Sequence, residues 1–333
     1  MPMTALYPWL EPYSSSLAAV FRQGRFPHAL LLAGQPGMGK ATFADYIAEL
    51  LLCESPADNH APCGHCPGCI QFEAGTHADY FRVSPEVDEK TGKESKAIKI
   101  DQIRKLAGQL SLSSHRGGYK VAVLNPAEAM NINAANSLLK TLEEPSDNTV
   151  LVLVCTHPAH LPPTIRSRCQ QIRIVPPERE IALQWLAGQL PDQDPESYLQ
   201  LADGAPLAAL AQAQAGSIEA RRERLNELVG ILDGRTAPLA VAQAWSKDED
   251  LQAIRWLRDW LMDLLRIHMT GQTGGIRSVD LADTLVRLAQ RLDKRVMFDQ
   301  LAHVNRTLRL TAASSLNRQL MTEDVLLAWA AQK

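Results

Sequence analysis

The sequence predicts an α/β domain built on a parallel sheet, followed by an all-helical region that runs to the end of the 333-residue chain. Two patterns predict the sheet and a third marks where it ends. Short apolar runs recur along the first half, and helical spacing fills the gaps between them, as in buried parallel strands joined by crossover helices. After Val175 the strand-like runs disappear at Pro176-Pro177, and Ala, Leu, Gln and Arg in helical spacing take over.

The apolar runs are residues 28–33, 80–83, 119–124, 149–155 and 171–175, five strands in all. Helical patterns occupy 41–52, 99–110 and 134–144, the last stopped by Pro145, because proline cannot continue a helix. Residues 178 to about 213 read as two or three small helices broken at Gly204-Ala205-Pro206. From 215 onward Leu251, Ile254, Leu257, Leu261, Leu264 and Leu265 form an apolar stripe, the mark of a helical bundle. The predicted organisation is therefore 1–177, 178–214 and 215–333. Within the bundle, Trp256 and Trp260 read as core or as residues of an interface between subunits, and the basic run Arg221-Arg222-Glu223-Arg224 as a solvated helix face.

Composition narrows the function classes. Hydrophobic residues make up 46% and charged residues 21%, which excludes a disordered or fibrous chain. The formal charge is −3, from 34 Lys and Arg against 37 Asp and Glu, so bulk charge does not make this a free-standing nucleic-acid binder. No apolar stretch is long enough for a membrane span, and the start lacks the pattern of a secretory signal, so a cytoplasmic setting is expected. Neither a Ser–His–Asp arrangement nor paired carboxylates suggest a hydrolase.

Directly after the first strand comes Gly34-Gln35-Pro36-Gly37-Met38-Gly39-Lys40-Ala41-Thr42. This is the spacing of a phosphate loop, in which Gly34, Gly37 and Gly39 let backbone N–H groups wrap a phosphate and Lys40 reaches its terminal oxygens. Position 41, which should place a hydroxyl on Mg²⁺, is Ala. Thr42 comes one residue late, about 100° further around the helix. The strand at 119–124 ends in Asn125-Pro126, where an Asp for the metal and a Glu for water are expected in hydrolytic members. Three missing groups thus argue against hydrolysis, while ATP binding at a degenerate site and a relic loop both stay open.

Six cysteines are too few for a disulfide scaffold, and four of them, Cys53, Cys63, Cys66 and Cys69, crowd one stretch. Short Cys-x-x-Cys turns aim thiolates at one centre, and four thiolates close a tetrahedral shell around structural Zn²⁺. An iron–sulfur cluster or unliganded thiols are the alternatives. His60, His65 and His77 read as loop histidines, because four cysteines already complete the shell.

The phosphate loop at 27–42, the four-cysteine insertion, Ala134-Ala135-Asn136-Ser137-Leu138-Leu139-Lys140-Thr141-Leu142-Glu143-Glu144-Pro145 and Ser167-Arg168-Cys169 occur in this order. Together they resemble the bacterial sliding-clamp loader subunits of the AAA+ class, over roughly residues 20–178. The resemblance implies a P-loop AAA+ domain on a five-stranded parallel sheet with a zinc-binding insertion at about 53–80, a small helical lid and an all-α collar. It also implies partners: gamma or tau motor subunits and a delta subunit, with the sliding clamp and primer–template DNA reached through the complex, as part of a DNA-directed DNA polymerase III holoenzyme. By the same resemblance Arg168, rather than nearby Arg166, is an arginine finger offered to a neighbour's ATP, and Cys155 and Thr156 are remnants of a phosphate sensor. Ala41, Asn125, Pro126 and Leu207 depart from the motor subunits, which favours an assembly protein without catalysis of its own. The alternative is a gamma- or tau-type motor.

Overall fold

In the computed structural model the described residues are 6–57, 61–86, 95, 97–115, 117–248, 251–313 and 316–332. The chain divides into two compact units, Met1–Trp185 with Ala205–Ala208, and Leu186–Gly204 with Ala209–Lys333.

The first unit opens with α1 (Glu11–Arg22) and β1 (Ala29–Ala33). Next come α2 (Lys40–Leu52), α3 (Pro67–Glu73), β2 (Tyr80–Val83), α4 (Ile100–Leu110) and β3 (Lys120–Leu124). It continues through α5 (Ile132–Glu143), β4 (Thr149–Cys155), the one-turn α6 (Pro163–Arg166) and β5 (Gln170–Arg173) to α7 (Arg179–Gln189). The sequence patterns located all five strands to within two residues at each end, and the sheet is parallel in the order β2-β3-β4-β1-β5. β1 lies between β4 and β5, so both its edges and both its faces are enclosed, and Leu30, Leu31 and Leu32 are fully buried. Burying each such leucine contributes about 1.5–3 kcal/mol, which is why a pure apolar run rather than an alternating one marks this strand. Parallel register places the carboxyl ends of β1, β3 and β4 together, with Ala33 opposite Cys155 and Leu124 opposite Leu153. Open α/β sheets bind ligands at that edge.

Three helices of this unit are absent from the sequence reading, α1, α3 and the one-turn α6. α3 starts at Pro67 with Cys66 as its cap, and its apolar pattern is masked by the cysteines themselves. α5 begins two residues earlier than predicted, because Asn131 accepts the N–H of Ala134 at 2.8 Å and caps it.

The remaining helices are α8 (Pro195–Leu201), α9 (Pro206–Gln214), α10 (Ser217–Leu232), α11 (Pro238–Trp245), α12 (Gln252–Thr270), α13 (Ala282–Arg291), α14 (Lys294–Ala313) and α15 (Arg318–Ala330). Within the second unit, Leu228, Trp245, Trp260, Leu264, Leu285, Met297 and Trp329 share one core, and the indole N–H of Trp329 donates to the Leu228 carbonyl at 3.0 Å. One expectation fails here. Arg221 is not on a solvated face: it is 4% exposed, its guanidinium lies 5.8 Å and 5.6 Å from the ring centres of Trp256 and Trp260, and it donates to Ser278 Oγ at 2.6 Å. The flanking Arg222 and Glu223 stay exposed. Periodicity could not separate Arg221 from its neighbours, because the tryptophans that stack on it come from another helix.

A P-loop cleft, an arginine loop and a four-cysteine centre

The chain leaves β1 at Gly34 and closes into the first turn of α2. A Cβ at Gly34 would lie 2.3 Å from the carbonyl oxygen of Ile174, so only glycine fits beside β5. Gly34→Ala is expected to cost about 1–3 kcal/mol and to lower the melting temperature by several degrees, read by calorimetry; an unchanged melt would mean that the loop shifts freely. Gly39, the residue before α2, has φ +79°, a left-handed conformation that favours glycine, and the Tyr7 ring covers it. Gly37 accepts the N–H of Leu207 at 3.1 Å through its carbonyl. Trp9 donates its indole N–H to the Met38 carbonyl at 3.0 Å and stacks on Tyr7, with Trp185 edge-on to both.

A cleft of about 250 Å³ follows, bordered by Gly37, Gly39, Lys40, Ala41, Thr42, Asn125, Pro126, Val154, Thr156 and Leu207. That is below the roughly 300–1,000 Å³ of ordinary small-molecule sites. Lys40 is 7% exposed, and its ammonium donates to the Gln35 carbonyl at 2.7 Å. Burial lowers its pKa, against the negative charge of Glu128, which acts to raise it. Where a metal would need oxygen ligands Ala41 offers none and Asn125 only an uncharged amide, and none of the residues bordering the cleft carries a carboxylate.

Sequence reasoning passed over Glu128. A single 3-10 turn, Ala127–Ala129, brings its carboxylate back to the sheet edge, where Oε1 accepts the N–H of Thr156 at 2.7 Å and of His157 at 3.3 Å. Burial opposes its ionisation, but these backbone donors outweigh burial and hold the carboxyl below the usual range. Cys155, fully buried beside it, has its thiol pushed up to about 12 by burial and by the Glu128 charge. Thr156 thus serves a structural carboxylate through its backbone N–H. The signal in the sequence is slight: an acid four residues past a strand end.

Arg168 follows α6. Cys169 beside it is buried and its thiol is raised to about 11 by that burial, while Ser167 Oγ donates to the Thr164 carbonyl at 3.2 Å. One neighbour anchors the turn in the core, the other closes it, and the arginine between them projects outward. Its Nη1 donates to the Thr164 carbonyl at 3.0 Å and its Nη2 pairs with Glu143 Oε1 at 2.6 Å. The rival, Arg166, is also partly exposed, but its Nε is buried.

The four sulfurs of Cys53, Cys63, Cys66 and Cys69 lie within 4.8 Å of one another. Tetrahedral ligation with Zn–S bonds of about 2.3 Å requires S···S separations of about 3.8 Å. The pairs Cys53–Cys66 and Cys63–Cys69 stand at 3.9 Å and 4.0 Å, so the residues fit a tetrahedral ion. Backbone N–H groups of Glu54, Cys63, Cys66 and Cys69 point at sulfur from 3.3–3.4 Å, which favours thiolate. The backbone N–H groups of His65 and Cys66 lower the Cys63 pKa to about 7, while burial raises the thiols of Cys53 and Cys69. A Cβ at Gly68 would meet the Leu52 carbonyl at 2.4 Å, so glycine lets α3 close against the end of α2. His65 bonds to the Cys63 carbonyl and His77 accepts the Asp79 N–H, so neither is a ligand; His60 lies outside the described residues.

A family model described as "DNA polymerase III, delta subunit" matches residues 10–178, and one described as "DNA polymerase III, delta subunit, C terminal" matches 215–331. DNA polymerase III subunit delta' of Pseudomonas aeruginosa is 36% identical over 98% of this chain and 98% of its own. The same subunit of Escherichia coli is 32% identical over 96% of this chain and 94% of its own. The chain belongs to the DNA polymerase III delta' family. The tau subunit of Escherichia coli is 29% identical over 73% of this chain, but that stretch is only 36% of tau.

A delta' family member is a subunit of the clamp-loader complex, and the five-stranded P-loop unit with its cysteine insertion and helical C-terminal region is the AAA+ architecture that the resemblance implied. Among the described residues, no helix is long and apolar enough to cross a membrane.

Proposed function

We propose that this delta' family member is a stator of the clamp loader, a cytoplasmic subunit that assembles with gamma or tau motors and delta, hydrolyses no ATP itself and lends Arg168 to a neighbour's site. Through the complex it takes part in placing the sliding clamp on primer–template DNA. The observation that carries this reading is the opposition of two sites in one unit. The residues bordering the cleft behind Lys40 include no carboxylate to hold Mg²⁺ or activate water, and Glu128, whose charge reaches Lys40, is engaged by the N–H groups of Thr156 and His157, whereas the half-exposed Arg168 guanidinium is oriented by the Thr164 carbonyl and Glu143.

A forked, permanently charged guanidinium in trans neutralises charge developing on the transferred phosphoryl group. Cys53, Cys63, Cys66 and Cys69 hold structural Zn²⁺, which cross-links α2 and α3; with four protein ligands no position is open for chemistry. Gly34, Gly37, Gly39, Lys40 and Thr42 form at most an anion cradle, in which the Lys40 ammonium exchanges the Gln35 carbonyl for a phosphate oxygen.

A fluorescent ATP analogue titrated against the isolated chain tests the reading. Binding is expected to be the same with and without Mg²⁺ and to weaken about ten-fold or more in Lys40→Ala, the loss of one charged hydrogen bond. Mg²⁺-dependent binding with turnover would overturn the stator in favour of a motor.

A further inference from the structure

We infer that Glu143 is a positioning residue for Arg168, an inference that rests on the arginine-finger reading above. Glu143 is the last residue of α5, where an acidic side chain faces the negative end of the helix dipole and is out of place by helix rules. A guanidinium at that end is favoured by both the dipole and the carboxylate. Leu138 and Leu142 are buried, and His28 Nε2 bonds to the Leu142 carbonyl at 3.2 Å, so the last turn of α5 is fixed to the core while Glu143 reaches outward.

Arg168 has a long flexible stem, and two contacts restrict it: Nη1 on the Thr164 carbonyl of its own turn and Nη2 on Glu143 Oε1. A guanidinium has five N–H donors, so these two bonds leave three for a neighbour's phosphate. The pair is half exposed, with side-chain exposures of 36% and 50%, so it orients the guanidinium without locking it. The Leu-Glu-Glu-Pro end of the 134–145 signature and the Ser-Arg-Cys motif thus act as one device.

The test is a double-substitution cycle in the reconstituted clamp loader, reading clamp- and DNA-stimulated hydrolysis at the facing site, with gel filtration to follow assembly. Glu143→Ala is expected to slow that hydrolysis about two- to five-fold, the range set by exposed ion pairs, with assembly intact. Glu143→Gln keeps an acceptor oxygen at the same reach and is expected to fall between. In an Arg168→Ala background, Glu143→Ala should add nothing. A Glu143→Ala rate equal to or above the unsubstituted complex, with Arg168→Ala slow, would overturn positioning and leave the finger standing. The same slowing in both backgrounds would make Glu143 a structural residue, and an unchanged rate in Arg168→Ala would remove the finger and this inference together.

Discussion

Arg168→Ala is expected to leave the clamp-loader complex assembled and to slow ATP hydrolysis at the one interface it faces by about 10³–10⁵-fold, the range measured for arginine fingers elsewhere. Assembly should survive because the side chain contributes little to the fold. Its ion pair with Glu143 is exposed and worth at most about 1 kcal/mol, whereas Cys169 and Ile165 hold the turn from inside. Single-turnover hydrolysis in the assembled complex is the measurement, since motor sites elsewhere in the complex would mask the loss in a steady-state rate. Arg168→Lys should recover little, because an ammonium lacks the fork and the reach to both Thr164 and Glu143. An unchanged single-turnover rate in Arg168→Ala would leave the chain without a part in ATP chemistry.

Removal of metal from the cysteine centre should have the second large effect, on stability rather than rate. Elemental analysis is expected to find about one Zn²⁺ per chain, and Cys66→Ser or a strong chelator to release it. Four-ligand zinc sites in isolated fingers command about 10–16 kcal/mol of coupled folding energy. The insertion needs that energy because α3 has only seven residues, too few to be helical alone, and the core there is the four sulfurs themselves. Cys66 is doubly placed, since its sulfur also caps α3 by accepting the Cys69 N–H at 3.4 Å. At about 2–4 °C per kcal/mol, loss of even a few kcal/mol lowers the melting temperature by about 10 °C. Proteolysis should then open first between residues 53 and 80, while the sheet remains protected. A chain that is fully folded and free of metal would refute the structural zinc.

Much of this was legible in the sequence where the chemistry is local. The phosphate loop is nine consecutive residues, and the four cysteines fall between positions 53 and 69, so spacing alone implied both. The strands were legible because complete enclosure demands uninterrupted apolar runs, as at Leu30-Leu31-Leu32. Ala41, Asn125 and Pro126 carry the proposal that the chain hydrolyses no ATP, because each stands where metal-dependent phosphoryl transfer requires another group. Arg168 stood out only through a resemblance, since a single arginine in a turn carries no spacing signal.

Glu128, Glu143 and Arg221 were beyond the sequence for one shared reason. Each owes its role to partners from elements far along the chain: the backbone N–H groups after β4, the turn after α6, and the tryptophans of α12. A titratable side chain at a strand or helix end looks solvated until the fold brings a donor or an aromatic face against it. The sequence by itself therefore determined the sheet, the degenerate loop and the four-cysteine insertion, because those follow from hydrophobic period and from residues adjacent in the chain. Only the tertiary structure decided that Lys40 is folded onto its own loop, that Glu128 serves the end of β4, and that Arg168 leans on Glu143. Those contacts depend on distances in space that neither periodicity nor spacing encodes.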